Sequence, residues 1–369
     1  INLKQGLNNT AANGVGGFIG SAGTANIHAG DIVNTDGTIY TKQDLLLNAD
    51  GTLTNASGVI QSDASITASA VNAVNNNAGR IEANGAAATL SIAGSNVDST
   101  AGRIANSGTG ATTINGGNNV ANDAGTIGGN GDVTLTANYL TNAQGQVISA
   151  NDLKLVIANN INNAQGKLFA ARNLSINQAG ATLNNAAGNI TSSGDTNITV
   201  ASLDNTSGKI GNTAGDGGNI ALSTSGNVIN AAGNIGSDKN TTINANTITG
   251  DGKIIAGQDA TINLQGDYTN TAGNTFTANR DLNLSTTGTL TNAGNLEAVH
   301  NLSLSAANVT NQYGALINAG NGLTLIKASN AVYNLGRIYG DDVAIGAQTV
   351  TNDGILNADG TTNQAGVIA

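Results

Sequence analysis

The chain has 369 residues, of which 39% are hydrophobic but only 2% aromatic and 10% charged, with a net charge of −10. It contains no cysteine, which excludes a disulfide framework, a thiolate zinc site and a thiol nucleophile. No stripe of lysine and arginine suits a nucleic-acid backbone, and no apolar run approaches the ~18–20 residues of a membrane span. We therefore expect a chain that neither binds nucleic acid nor inserts into a membrane, and whose acidity serves solubility.

Scarce aromatic residues limit the kind of core that the chain can build. Tryptophan and methionine are absent, so bulk must come from alanine, valine, isoleucine and leucine packed in a thin, regular layer. The absence of methionine also suggests that Ile1 is not a natural start.

A pattern of about ten residues returns along the whole chain. LTNASGVIQS spans 53–62, LTNAQGQVIS spans 140–149 and LNNAAGNITS spans 183–192. Its anchor is Asn-x-x-Gly followed by an aliphatic residue, and the anchors recur at a mean spacing of about 21 residues. The anchor glycines are Gly37, Gly58, Gly79, Gly102, Gly125, Gly145, Gly166, Gly188, Gly208, Gly233, Gly252, Gly273, Gly294, Gly314 and Gly336.

A second signature lies between the anchors: an aspartate or asparagine followed by two aliphatic residues at alternate positions. Alternation with period two predicts a strand, and no stretch shows the period of 3.6 that predicts a helix. The signature begins at Asp132, Asp152, Asn173, Asp281, Asn301 and Asp342.

One copy, residues 282–301, shows how the two signatures combine. Leu282 and Leu284 begin a first short strand, Leu290 lies in a second and Leu296 in a third, with turns between them. Because three unequal strands do not form hairpins, we expect each strand to pair with the same strand one copy later. The sequence thus predicts an all-β fold: one parallel β-helix, or solenoid, over 1–369, with about 21 residues and three short strands per coil.

Equivalent residues of consecutive coils then stack on one another. The asparagines of the anchors can form a ladder of hydrogen-bonded amides, and asparagine and glycine tolerate the left-handed conformation expected at corners. The aliphatic residues predicted to stack inside are Ile39, Ile60, Ile81, Ile104, Ile127, Ile148, Ile190, Ile210, Ile235, Ile254, Leu296 and Ile338.

Some copies depart from the period. Residues 1–26 should form a less regular first coil and residues 337–369 irregular last coils, with further copies at Gly354 and Gly366. Ser107–Gly110 and 213–218 lengthen their copies and are predicted to be loops at one corner.

Together, Leu-x-Asn-x-x-Gly-x-Ile and the Asp/Asn-Leu-x-Leu signature resemble the filamentous haemagglutinin repeats of two-partner-secreted exoproteins of Gram-negative bacteria. That group includes filamentous haemagglutinin adhesins and contact-dependent growth inhibition toxins. The resemblance implies a right-handed parallel β-helix in a cell-surface filament, exported by a partner outer-membrane transporter. It carries over no catalytic or ligand-binding residue, because the matching motif is structural.

A few residues remain as candidate contacts to a glycan or a target-cell receptor. Arg80 and Arg103 occupy equivalent places on consecutive coils and suit a weak anion or glycan contact, although a solvated outward position explains them as well. Tyr313, Tyr333 and Tyr339 gather near the carboxy end, where they either stack on sugars or fill a wider core.

Residues for chemistry are sparse, so we expect no catalytic residue, cofactor or metal. Glu82 and Glu297 lie about ten coils apart, too far for paired carboxylates. We expect no grouping of aspartate with arginine at the coil spacing. GGNGD at 128–132 occurs once, whereas a calcium roll repeats its ligands. His28 and His300 lie on distant coils and cannot share a metal site, and His300 is predicted to lie at a solvent-facing corner.

Three functions are therefore compatible with the sequence. The first is a stalk of a secreted surface adhesin or toxin that projects a distal region from the cell. The second is an adhesin that binds glycans or a receptor through its side, and the third is a polysaccharide lyase on the same scaffold.

A substitution at Leu155 tests whether the alternating aliphatic residues face the core. If Leu155 faces the core, Leu155→Asp buries an unpaired charge and lowers the free energy of unfolding by several kcal/mol. Thermal melting followed by circular dichroism measures the change, and an unaltered melting temperature would place Leu155 outside the core.

Overall fold

The computed structural model describes residues 1–11, 16–212, 217–356 and 362–369. Within these ranges every regular element is a β-strand and no helix occurs. The chain divides into two compact units, 1–192 and 193–369. The prediction of an all-β fold is confirmed, while that of a single domain over 1–369 stays a prediction.

The described part of residues 1–192 contains 24 strands. They are β1 Leu7–Asn8, β2 Phe18–Ser21, β3 Ala25–Ala29, β4 Ile32–Val33, β5 Thr38–Thr41, β6 Leu45–Ala49, β7 Thr52–Thr54, β8 Val59–Ser62, β9 Ile66–Ala70, β10 Ala73–Asn75, β11 Arg80–Ala83, β12 Leu90–Ala93, β13 Asn96–Asp98, β14 Arg103–Asn106, β15 Thr112–Asn115, β16 Asn119–Ala121, β17 Thr126–Gly129, β18 Val133–Thr141, β19 Gln146–Ser149, β20 Leu153–Asn162, β21 Lys167–Ala170, β22 Leu174–Asn177, β23 Thr182–Asn184 and β24 Asn189–Ser192.

The described part of residues 193–369 contains a further 24 strands. They are β25 Thr196–Val200, β26 Ser202–Asp204, β27 Lys209–Asn212, β28 Ile220–Thr224, β29 Val228–Ile229, β30 Asn234–Ser237, β31 Thr241–Ala245, β32 Ile248–Thr249, β33 Lys253–Ala256, β34 Ala260–Leu264, β35 Tyr268–Asn270, β36 Thr275–Ala278, β37 Leu282–Thr286, β38 Thr289–Asn292, β39 Asn295–Ala298, β40 Leu302–Asn311, β41 Leu316–Ala319, β42 Leu323–Asn334, β43 Arg337–Tyr339, β44 Asp342–Gly346, β45 Thr349–Asn352, β46 Gly354–Leu356, β47 Thr362–Ala365 and β48 Val367–Ile368.

Three strands make one coil, and each pairs in parallel with its counterpart in the next coil. β6, β7 and β8 are the first, second and third strands of one coil; Leu45 lies opposite Ile66, Leu53 opposite Val74 and Ile60 opposite Ile81. The fold is a parallel β-solenoid of about 16 turns with roughly 21 residues per turn, as the repeat predicts.

In a few coils the first two strands are continuous. β18 and β20 in the first unit, and β40 and β42 in the second, run through the corner that elsewhere separates them. The register shifts at that corner, between Ala137 and Tyr139 and between Ala306 and Asn308. Three separate strands per coil is therefore the rule rather than an invariant.

Aliphatic columns fill the interior. Leu155 is 1% exposed and stacks between Leu135 and Ile176 in the first-strand column, so its predicted inward orientation is confirmed. One assignment in the third-strand column is wrong: Val147, not Ile148, lies opposite Ile127 and is fully buried. Both residues are aliphatic, and the alternation of the strand turns Ile148 outward.

Gly314, with φ 78°, is left-handed as predicted, but the glycine of the regular anchors has a different role. The left-handed residue of the corner is the one before it, for example Ser57 (φ 53°) or Gln144 (φ 59°). A Cβ atom at Gly58 would lie 2.0 Å from the carbonyl oxygen of Asn34 in the previous coil. Close approach of successive coils, and not a positive φ, therefore excludes a side chain at this glycine.

The first insert lies at the corner between a third strand and the next first strand. Ser107–Gly110 connects β14 to β15, as predicted. The second insert, 213–218, falls largely at residues 213–216, which lie outside the described residues.

The corner between Asn352 and Gly366 shows that the carboxy-terminal end has one repeat fewer than predicted. β46 and β47 pair antiparallel, and the Asn352 side chain donates to the carbonyl of Gly366 at 2.9 Å. A Cβ at Gly366 would lie 2.6 Å from the Asn334 carbonyl oxygen, as at other anchor glycines. Gly366 is thus the anchor of one coil, and the predicted copy at Gly354 is wrong: it begins a hairpin inserted into that corner.

Gly58 and Gly128 form a matched pair for testing the close approach. A Cβ at Gly128 would have only the Ile148 carbonyl oxygen nearby, at 3.6 Å. We expect Gly58→Ala to lower the free energy of unfolding by about 1–3 kcal/mol, because the backbone must shift to relieve the clash. Gly128→Ala should leave it unchanged or raise it, and equal chemical-denaturation midpoints for the two variants would contradict this explanation.

Candidate functional site

Buried asparagine side chains form a ladder along one corner of each unit. Asn34 donates from Nδ2 to Oδ1 of Asn55 at 2.6 Å, and Asn55 donates to Asn76 at 2.7 Å. All three are fully buried, and Asn34 also reaches the Gly37 carbonyl oxygen at 3.1 Å. The same contact joins Asn9 to Asn34, Asn122 to Asn142, Asn142 to Asn163, Asn163 to Asn185, Asn205 to Asn230, Asn270 to Asn292, Asn292 to Asn311, Asn311 to Asn334 and Asn334 to Asn352.

Ser99 interrupts this ladder in the first unit. Asn76 donates to the Ser99 hydroxyl at 3.3 Å, but the shorter side chain does not reach the next coil. Oδ1 of Asn122 is consequently buried without a hydrogen-bond partner among the described residues. An unsatisfied buried oxygen costs free energy that the other rungs avoid.

Ser99→Asn should repair the interruption. The new amide would donate to Asn122 and raise the free energy of unfolding by about 1 kcal/mol. Ser91→Asn, on the outward face of β12, is the control and should change little. A melting temperature for Ser99→Asn at or below that of the wild type would contradict the ladder's contribution.

Arg80 and Arg103, predicted as contact residues, share one carboxylate on the outer face of the third strands. They lie side by side in the paired strands β11 and β14. Arg80 donates from Nη2 to Oε2 of Glu82 at 2.7 Å, and Arg103 donates from Nε to Oε1 at 2.8 Å. Two guanidinium charges therefore face one carboxylate, which leaves a net positive charge at this place.

Glu82 is 7% exposed, so its ionisation depends on these arginines. Burial alone would raise the pKa of Glu82, but hydrogen bonds from Arg80 and Arg103, together with their charges, hold the pKa below its ordinary value. The carboxylate is ionised at neutral pH and fixes both guanidinium groups.

A notch opens beside Arg103 on the same face. Ala105 and Gly128 follow Glu82 in the outward column of the third strands, and Ile148 comes next. The notch measures about 210 Å³. Its lining consists of Arg103, Ala105, Asn106, Ser107, Thr126, Gly128, Gly129, Asn130, Ile148 and Ala150.

Sequence reasoning identified Arg103 but missed the notch. The sequence feature that predicts the notch is a pair of small residues, Ala105 and Gly128, at the middle outward position of consecutive third strands. Many other coils carry larger side chains at this position, such as Tyr40 and Phe169, although Gly211 and Gly236 form a second pair of small residues without a neighbouring arginine. Comparing outward columns, and not only inward ones, would have revealed it.

The three candidate tyrosines lie on separate segments of the second unit. Tyr313 is 49% exposed in the corner after β40, and Tyr333 is 37% exposed on β42. Tyr339 lies on the third strand β43, opposite Asn318. Their role in binding a glycan or receptor stays a prediction.

Aspartate and arginine do occur together at the coil spacing, so the prediction that they do not is wrong. Arg172 donates from Nε to Asp152 at 2.7 Å, and Arg280 donates to Asp259 at 2.6 Å. The hydrogen bond and charge of each aspartate raise the pKa of its arginine. A guanidinium with a raised pKa is a poor base, so these pairs link coils rather than remove protons.

Aspartates at this corner, such as Asp152 and Asp281, also explain the second sequence signature. Asp152 Oδ1 accepts from the backbone N–H of Asn173 at 3.0 Å, and Asp281 accepts from that of Asn301 at 3.0 Å. Each side chain thus hydrogen-bonds the residue one coil later, which explains why aspartate or asparagine precedes the first strand.

No group of three or more histidine, cysteine, aspartate or glutamate residues within the described ranges could hold a metal ion. His28 contacts Asp50 at 2.9 Å, and His300 is exposed at a corner. Nor does the described part of the chain contain a helix long and apolar enough to cross a membrane.

The lowered pKa of Glu82 predicts a pH-dependent stability. Ionised Glu82 stabilises the fold fully above its unfolded-state pKa of about 4.3, and this contribution is lost as pH falls through the lower folded-state value. Glu82→Gln should therefore lower the free energy of unfolding by about 1 kcal/mol at pH 7 and progressively less below pH ~4. Urea unfolding across this range measures the difference, and one that stays constant down to pH 3 would contradict it.

Comparisons with known proteins agree with the repeat. The family model described as haemagglutinin repeat matches residues 1–57, 156–236, 267–336 and 340–369, more than half of the chain. A stretch of 111 residues is 45% identical to tRNA nuclease CdiA-2 of Burkholderia pseudomallei strain 1026b, which covers 30% of this chain and 4% of that protein. No solved structure matches the chain significantly. The chain belongs to the haemagglutinin repeat family.

Proposed function

We propose that this chain is a stalk segment of a secreted cell-surface exoprotein, either an adhesin or a contact-dependent growth inhibition toxin. The observation that carries the proposal is the repeated use of one structural rung, the buried asparagine with its close glycine, in most coils of both units. Such a solenoid adds length by adding coils and needs no change elsewhere. Membership in the haemagglutinin repeat family supports the same function.

Export and location follow from the family. Haemagglutinin repeat proteins are secreted to the cell surface of Gram-negative bacteria by two-partner secretion. We infer that an outer-membrane transporter is this chain's partner during export, and that a target-cell receptor or glycan is the partner of the whole exoprotein. The chain spans only 4% of the relative, so a nuclease activity in that protein's name is no guide to these coils.

Enzymatic activity of the segment itself has little support. A lyase needs an unpaired base beside its substrate, whereas Arg172 and Arg280 are both held by aspartates. Glu82 is likewise held by two arginines. These groups pair with one another, and three of the four pairs join consecutive coils, which suits a structural segment.

Deletion of one whole coil from the parent exoprotein tests the stalk. Removing residues 153–173 joins Asp152 to Leu174, the register partner of Leu153, and leaves every column intact. We expect this variant to fold, to reach the cell surface and to retain adhesion or growth inhibition, with a reach shorter by about 4.8 Å.

Removing only β20, residues 153–162, is the matched control and should abolish folding, because it deletes the first and second strands of a coil and leaves its third strand unable to close the turn. Circular dichroism, surface labelling and the activity assay are read on both variants. A whole-coil variant that folds and reaches the surface, yet has lost activity, would contradict a stalk function.

A further inference from the structure

We propose that the notch beside Arg103 binds one anionic sugar residue, with the Arg103 guanidinium holding the sugar carboxylate. This assigns a lateral ligand site to a segment whose proposed function is that of a stalk. The two ideas are independent, because whole-coil deletion at 153–173 leaves the notch residues in place.

The first argument is shape. Ala105 and Gly128 have small or no side chains, so the outer surface is recessed over two consecutive coils. The larger side chains of Glu82 and Ile148 bound this recess on either side. Two coil spacings give a width of about 10 Å. The volume of about 210 Å³ is of the size of one sugar ring.

The second argument is charge. Arg80 commits both Nε and Nη2 to Glu82. Arg103 commits only Nε, and within the described part of the chain neither of its Nη nitrogens has a hydrogen-bond partner. Glu82 therefore fixes the Arg103 guanidinium at the rim while leaving its terminal donors available. A planar guanidinium presents paired donors that match a carboxylate.

The third argument is the chemistry of the walls. Thr126, Ser107 and Asn130 supply hydroxyl and amide groups along the notch, and Ile148 supplies an apolar wall. Asn130 Nδ2 donates to the backbone carbonyl of Ser107 at 2.7 Å, which orders that rim. Sugars offer both hydroxyl groups and apolar C–H faces, so they match this mixed lining.

The same surroundings disfavour an acidic peptide as the occupant. A peptide commonly gains affinity by adding a strand to an open sheet edge. The strands that line the notch, β14, β17 and β19, already have parallel partners on both sides. No free edge remains for backbone pairing, so a compact anionic ligand fits better.

Ligand-observed NMR on the 369-residue chain tests the site with N-acetylneuraminic acid and glucuronic acid as probes, and glucose as the neutral control. We expect both acidic sugars to bind and glucose not to bind. Raised salt should weaken the binding, because the contact is partly ionic. Absence of binding by both acidic sugars at millimolar concentration would overturn the proposal, as would equal binding of glucose.

Two substitutions separate this site from general surface binding. Arg103→Gln removes the cation, and Gly128→Leu fills the notch at a glycine where a side chain has space. We expect each to weaken binding at least tenfold, with circular dichroism unchanged. Arg337→Gln and Gly236→Leu make the same changes on third strands of the second unit and should leave affinity unaltered. Equal affinity of Arg103→Gln and wild type, or binding of an acidic peptide in place of the sugars, would overturn the assignment.

Discussion

In most coils a buried side-chain amide holds one coil to the next, and it reaches its partner only when the two coils lie in register. Asn55 accepts from Asn34 and donates to Asn76, so every rung depends on the coils before and after it. The glycine three residues after the asparagine permits the approach, because a Cβ atom at Gly58 would overlap the Asn34 carbonyl. A sheet of parallel strands alone tolerates slippage, whereas this corner fixes the register and hence which aliphatic residues face inward.

The corner between the third strand and the next first strand carries much of the variation. There an aspartate or asparagine accepts the backbone N–H of the next coil, and arginines such as Arg172 add an ion pair across coils. Inserts such as Ser107–Gly110 occur at this corner, where added residues leave the strand columns undisturbed. The outward columns are equally free to vary, since no core packing constrains them. A stalk built in this way repeats the ladder corner in most coils and offers its outer faces for side-chain chemistry such as that of the Arg103 notch.

Much of the fold could be predicted from the sequence, because a stacked structure repeats its constraints in every coil. The period of the Asn-x-x-Gly anchor and the alternation around Leu155 suffice for a parallel solenoid with that leucine inside. Errors arose where one residue had two explanations. Val147 and Ile148 are both aliphatic, so composition could not choose the inward one, and a glycine at a corner suggests a positive φ as readily as a close contact. The candidate site was harder to predict, since Glu82 and Arg103 meet only after β11 and β14 pair.

Spin-label distances between introduced cysteines test the in-register stacking most directly, and the absence of native cysteine makes the labelling specific. Asn26, Thr67 and Lys154 lie in one outward first-strand column, with Lys154 six coils after Asn26 and four coils after Thr67. We predict backbone separations of about 29 Å for Asn26–Lys154 and about 19 Å for Thr67–Lys154, a difference of two coil spacings. Distances that do not differ by about 10 Å, or broad distributions without a defined maximum, would contradict the stacked solenoid.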